Sequence, residues 1–98
     1  MFEIIQSDEF KVWHDGLRDK ITRARVSARI RLAEQGSLGD WKSLRDGVSE
    51  MRIDVGPGYR LYFIRRGNTV VVLLCGGDKR KQDADIERAI NLAKRWKE

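Results

Sequence analysis

Hydrophobic and polar positions divide this chain into stretches of different period. FEIIQ (residues 2–6) is a short apolar run suited to a strand. Ser7 or Asp8 follows, and either side chain can cap a helix by accepting hydrogen bonds from its free backbone N–H groups. Phe10, Trp13 and Leu17 then recur at helical spacing, which predicts a short helix over DEFKVWHDGL that breaks near Gly16. His14 stands beside that stripe, at the surface or its boundary. From Asp19 to about Gln35 the pattern predicts a longer helix, with Ile21, Ala24, Ala28 and Leu32 as its core face and Gly36 as its C-terminal cap. Arg18, Arg25 and Arg29 fall along one outer line of that helix, with Arg23 and Arg31 elsewhere. Residues 36–47 read as a glycine-punctuated connection that tucks Trp41 and Leu44 onto the core.

The period then changes to two. In EMRIDV (50–55), Met51, Ile53 and Val55 alternate with Glu50, Arg52 and Asp54, and in YRLYFI (59–64) Leu61 and Phe63 alternate with Arg60 and Tyr62. The loop between these strands must be odd, because an even one would set Ile53 against Arg60 and drive charge into the core. A three-residue Gly56-Pro57-Gly58 loop pairs Ile53 with Leu61, puts Asp54 opposite Arg60 and Arg52 opposite Tyr62, and uses Gly58 in the left-handed region. Gly67–Asn68 suits a two-residue hairpin, which sets Phe63 against Val72 and Arg60 across from Cys75. VVVLLC (70–75) is apolar on both faces and is therefore expected as the central, most buried strand. A last helix from about Gln82 to Lys97 buries Ile86, Ile90, Ala93 and Trp96, with Asp83, Asp85 and Glu87 near the positive end of its dipole.

Composition narrows the chemistry. Ninety-eight residues make a single domain, and twenty Lys and Arg against fifteen Asp and Glu leave a net charge of +5, which favours a polyanionic partner. The lone Cys75 lies in an apolar run and forms no internal disulfide, which fits a reducing cytoplasm. No apolar stretch approaches the ~18 residues of a membrane span. One histidine and one cysteine are too few for a zinc site, and a histidine-dependent triad would rest on His14 alone, so neither metal nor cofactor is expected.

One constellation remains. Arg52 and Arg60 from the sheet and Lys79, Arg80 and Lys81 from the segment after it can converge on one edge. Guanidinium groups match two oxygens of a phosphate, and a cationic pocket stabilises the charge of a phosphorane-like transition state. Tyr62 could stack on a splayed base. The plainer alternative is that Arg60 pairs with Asp54 and that Lys79 to Lys81 only keep the rim solvated.

From Gly47 to Gln82, GYRLYF followed by LLCGGDK resembles the RelE/ParE toxin superfamily in its HigB-like branch, and LGDWKSLRDGVSE before it fits the same branch. That resemblance implies an α+β fold over residues 1–98, with two N-terminal helices and a C-terminal helix packed on a small, mainly antiparallel four-stranded sheet. It implies a toxin neutralised by an antitoxin, commonly a helix-turn-helix protein, and in many relatives cleavage of mRNA on the ribosome. Arg60 matches a phosphate-binding arginine, and Lys79 or Arg80 a second basic residue at the scissile phosphate. The Tyr or His that such relatives carry near the start of the last helix is missing from QDADIERA. A proton acceptor would then have to be Glu50, Asp78 or a depressed lysine, with charge stabilisation doing most of the catalysis. A non-catalytic ParE-like poison of DNA gyrase, acting through the arginine-rich helix, and a nucleic-acid-binding regulatory module are the alternatives.

Overall fold

A run apolar at every position needs neighbours on both sides and layers above and below. In the computed structural model, which describes residues 1–96, that run lies in β5 (Val70–Asp78). β5 is flanked by β1 (Glu3–Gln6), parallel to it, and β4 (Tyr59–Arg66), antiparallel to it. β3 (Ser49–Ile53) and β2 (Trp41–Ser43) continue the sheet, giving five mixed strands in the order β1-β5-β4-β3-β2. Here the sheet departs from the expected four strands. The added β2 is three exposed residues within the stretch read as a connection, too short to show a period. Its Trp41 is a partly exposed edge residue rather than a tucked one, 6.0 Å from the Phe63 ring and in cation–π range of Arg65.

Three helices cover both faces. On one side α1 (Asp8–Asp15) and α2 (Lys20–Glu34) bury Phe10, Val26, Ile30 and Ala33 against Met51, Ile53, Leu61, Phe63, Val71 and Leu73. On the other, α3 (Gln82–Ala93) packs Ala89 and Leu92 on Tyr62, Val72, Leu74 and Cys75, with Ile86, Ile90, Ala93 and Trp96 partly buried around them. A short 3-10 turn (Lys79–Lys81) precedes α3 and another (Lys94–Trp96) follows it; Lys97, expected in the last helix, lies outside the described residues. Ser7 caps α1 by accepting from the Phe10 N–H, and Asp19 caps α2 by accepting from Thr22. No helix among the described residues is long and apolar enough to cross a membrane.

Two registers and one helix face differ from expectation. Ile53 pairs with Tyr59 and Met51 with Leu61, so the β3–β4 loop spans five residues rather than three. The odd parity holds, each strand keeps its faces, and Gly58 adopts φ +88°. Between β4 and β5 the turn takes three residues, since Arg66 pairs with Val70, and a bulge between Tyr62 and Phe63 slips the ladder again. Arg60 therefore faces Gly77, not Cys75, and β5 runs on through both glycines. In α2 the buried face is Thr22, Val26, Ile30 and Ala33. The expected core stripe turns outward, with Ile21 64% and Leu32 45% exposed. The β-branched row at i, i+4 and i+8 fits the sheet, and the helix carries a second apolar stripe that the fold leaves uncovered.

Candidate functional site

The five-residue loop brings the cations of the sheet together. Arg52 and Arg60 are direct cross-strand partners, a like-charge pairing that costs stability unless a counter-charge intervenes. Glu50 intervenes. Two residues before Arg52 on the same face, its fully buried carboxylate accepts from Arg52 Nε at 2.9 Å and lies 3.4 Å from Arg60 Nε. The first contact is a hydrogen bond; the second is an ion pair without hydrogen-bond alignment. Glu50 Oε1, Arg60 Nε and the Tyr62 hydroxyl, all on residues of this sheet face, are the buried side-chain polar atoms left without hydrogen-bond partners among the described residues. Two of the three, Glu50 Oε1 and Arg60 Nε, face each other in that ion pair.

Backbone bonds deliver the remaining walls. The Lys79 N–H donates to Gly58 O at 3.0 Å, tying the start of the 3-10 turn to the β3–β4 loop, and the Arg52 N–H donates to Asp40 O at 2.8 Å. From behind, half-buried Arg29 donates to the carbonyls of Arg52 and Leu38 at 2.5 and 2.9 Å. Burial lowers its pKa, yet a guanidinium so placed stays charged. Arg29 is thus a brace for the Arg52 strand, not part of an outer arginine line. The result is an open cleft of about 400 Å³ lined by Arg52, Arg60 and Lys79, with Tyr59, Asp40 and Asp54.

Of the six residues singled out from sequence, the cleft takes three: Arg52, Arg60 and Lys79. Arg80 and Lys81 face an adjoining groove with Trp13, Asp85 and Arg88, and Arg80 folds back on Asp78 at 2.7 Å. Tyr62 is a correction. It is wholly buried beneath α3, so it offers no face to a base. Burial first, and then the Glu50 and Asp85 carboxylates, push its phenol well above the ordinary range. The expected pairing of Asp54 with Arg60 is replaced by Glu50, which the alternation had only marked as polar.

The aromatic ring that does line the cleft is Tyr59, to which the sequence reading gave no functional role. Its position, one residue before Arg60 and directly after Gly58 at the end of the loop, was the available signal. The candidate proton acceptors fare poorly. Glu50 is engaged with both arginines, and hydrogen bonds from the Arg80 side chain and backbone hold the Asp78 carboxyl below its usual range. Asp85, near the start of α3, is pushed up by burial, but it packs so tightly on β5 that a Cβ at Gly77 would collide with it. Among the described residues no cluster of His, Cys, Asp and Glu could hold a metal ion.

Comparison with known proteins adds an independent line. The chain is 45% identical over 84 residues, 86% of its own length and 85% of the relative's, to an uncharacterized protein of Haemophilus influenzae. The family model of the phage-derived Gp49-like proteins (DUF891) matches residues 9–98. The chain therefore belongs to the Gp49-like family, a RelE-like group associated with the toxins of toxin–antitoxin systems.

Proposed function

We propose that this protein is the toxin of a toxin–antitoxin module and that it cleaves mRNA on the ribosome. The observation that carries this reading is the convergence of Arg52, Arg60 and Lys79 on one cleft, with Glu50 fixing the arginines from below. In the reaction, a ribose 2′-hydroxyl gives its proton to solvent water and attacks the adjacent phosphorus. The bond to the 5′-oxygen breaks and that oxygen takes a proton from water, leaving a 2′,3′-cyclic phosphate and a 5′-hydroxyl. Arg60 and Lys79 hold the non-bridging oxygens and stabilise the charge that grows on them, with Arg52 gripping the neighbouring backbone. Tyr59 replaces Tyr62 as the ring available to a base, and Arg80 and Lys81 guide the strand along the adjoining groove.

Glu50 is engaged with both arginines and Asp78 with Arg80, so positioning and charge stabilisation carry the rate. A cognate antitoxin with an acidic segment, commonly a helix-turn-helix protein in the branch that the sequence resembles, would hold the activity in check. Primer extension on mRNA from cells expressing the protein tests the reading, with discrete internal 5′ ends expected soon after induction. Intact messages in growth-arrested cells would reject it. A DNA-damage response in those cells would favour the gyrase poison, the reading that the missing Tyr or His of α3 supports.

A further inference from the structure

We infer that the outward face of α2 is a docking site for an amphipathic helix with acidic flanks, supplied by a partner protein. Ile21, Ala24, Ala28 and Leu32 follow one another at intervals of three, four and four residues, on the side of α2 away from Val26 and Ile30. They form a stripe about 17 Å long at 1.5 Å per residue. Ile21 and Leu32 stand at its ends, both exposed, and two alanines lie between them. Large ends and a small middle make a shallow saddle, and small residues let a second helix approach to the ~8 Å at which side chains interlock. Alanine suits any solvated helix, but two large aliphatic side chains exposed on the same face leave apolar area that a partner can cover.

The charge on either side names the occupant. Arg25 borders the stripe on one side and Arg31 on the other, with Lys20 and Arg23 farther round. None of these four cations has an ion pair or side-chain hydrogen bond among the described residues. α2 holds five cations and one carboxylate, Glu34, so it alone carries +4 of the chain's +5. A second copy of this chain would bring the same charge against it and is repelled. RNA or an anionic bilayer would answer the charge. RNA, however, makes no use of a four-residue apolar row, and a bilayer has no need of the small centre. A helix with leucines on one face and glutamates beside them answers both features, as in groove-docked helices and charge-matched coiled coils. No stripe residue lines the cleft, so the inference does not depend on the cleft's chemistry.

The test is a titration of the isotope-labelled full chain with a synthetic 21-residue helix bearing leucine on one face and glutamate elsewhere. Amide shifts are expected to centre on residues 21–32. Ile21→Glu with Leu32→Glu should weaken binding by about a hundredfold, roughly tenfold for each lost apolar anchor, while the fold is unchanged because both side chains are exposed. Arg25→Glu with Arg31→Glu should weaken it and remove its salt dependence. The same peptide with lysine in place of glutamate should not bind. Absence of binding by the acidic peptide, shifts centred on Arg52, Arg60 and Lys79, or equal binding of the lysine peptide would each overturn the inference. So would tighter occupation of the stripe by a duplex RNA or by phosphatidylglycerol vesicles.

Discussion

Two arginine-bearing regions of this molecule differ in how their charge is held. The cleft sets Arg52, Arg60 and Lys79 against Asp40 and Asp54, and buried Glu50 beneath cancels the single charge left over. The outer side of α2 is the opposite case, with Lys20, Arg23, Arg25 and Arg31 set against Glu34 alone. Outside α2 the chain's twenty cations and fifteen carboxylates fall to fifteen and fourteen, so the overall excess says almost nothing about the cleft. What differs is fixation. Cleft arginines are held by a buried counter-ion and by strand geometry, which suits aiming at one phosphate. Arg29 apart, those of α2 have no such partner, which suits steering and partner choice.

The largest expected effect separates the two regions by activity. Arg60→Ala should lower RNA cleavage by at least ~10²-fold, as loss of one transition-state donor typically does. Arg25→Ala with Arg31→Ala should leave the turnover of a bound message within about twofold. Quantified cleavage in a reconstituted translation reaction makes both measurements, and equal losses would erase the distinction.

Stability separates the two faces of α2. Ile30→Ala, which empties core volume between α2 and the sheet, should cost about 2–5 kcal/mol. Ile21→Ala on the outer stripe should stay within about 0.5 kcal/mol. Urea midpoints decide this, and equal costs would mean that the stripe is covered within the monomer.

Glu50→Gln probes fixation itself. It removes the charge that offsets the facing arginines and should cost roughly 1–3 kcal/mol in stability. It should also lower cleavage more than Arg52→Lys does, since it frees both guanidiniums. A variant that loses stability but cleaves normally would make Glu50 a structural residue only.

The smallest effect is in pH. Burial raises the Asp85 pKa, so its neutral form is favoured on folding. Its contribution to stability is full below the ordinary carboxylate range and declines as pH rises from there through the folded value. Asp85→Asn removes that decline, and its stability relative to the parent should improve as pH rises above the ordinary carboxylate range. The Asp78 carboxyl has the opposite sign: held low by Arg80, it contributes above its unfolded pKa, and that contribution fades on acidification.

How much of this was legible in the sequence depends on which signals were local. Alternation placed Arg52 and Arg60 on one face whichever odd loop joined the strands, because parity survives a slip of two residues. It could not tell five loop residues from three, and so mispaired Arg60 with Asp54. Tyr62 was misjudged because the face was taken as open; α3 covers it from twenty residues downstream, and nothing local reports that. In α2 two apolar stripes competed at the same period, and periodicity cannot choose between them without the sheet's shape. Glu50 read as polar in a strand, and only burial reveals it as the anchor of two arginines.

The most direct measurement is a translation reaction of purified components with a defined message, comparing the parent with Arg60→Ala and Lys79→Ala. Cleavage by the parent, with 2′,3′-cyclic phosphate and 5′-hydroxyl ends, and its loss in both variants is the predicted result. An intact message, or cleavage that survives the removal of both side chains, would contradict the account.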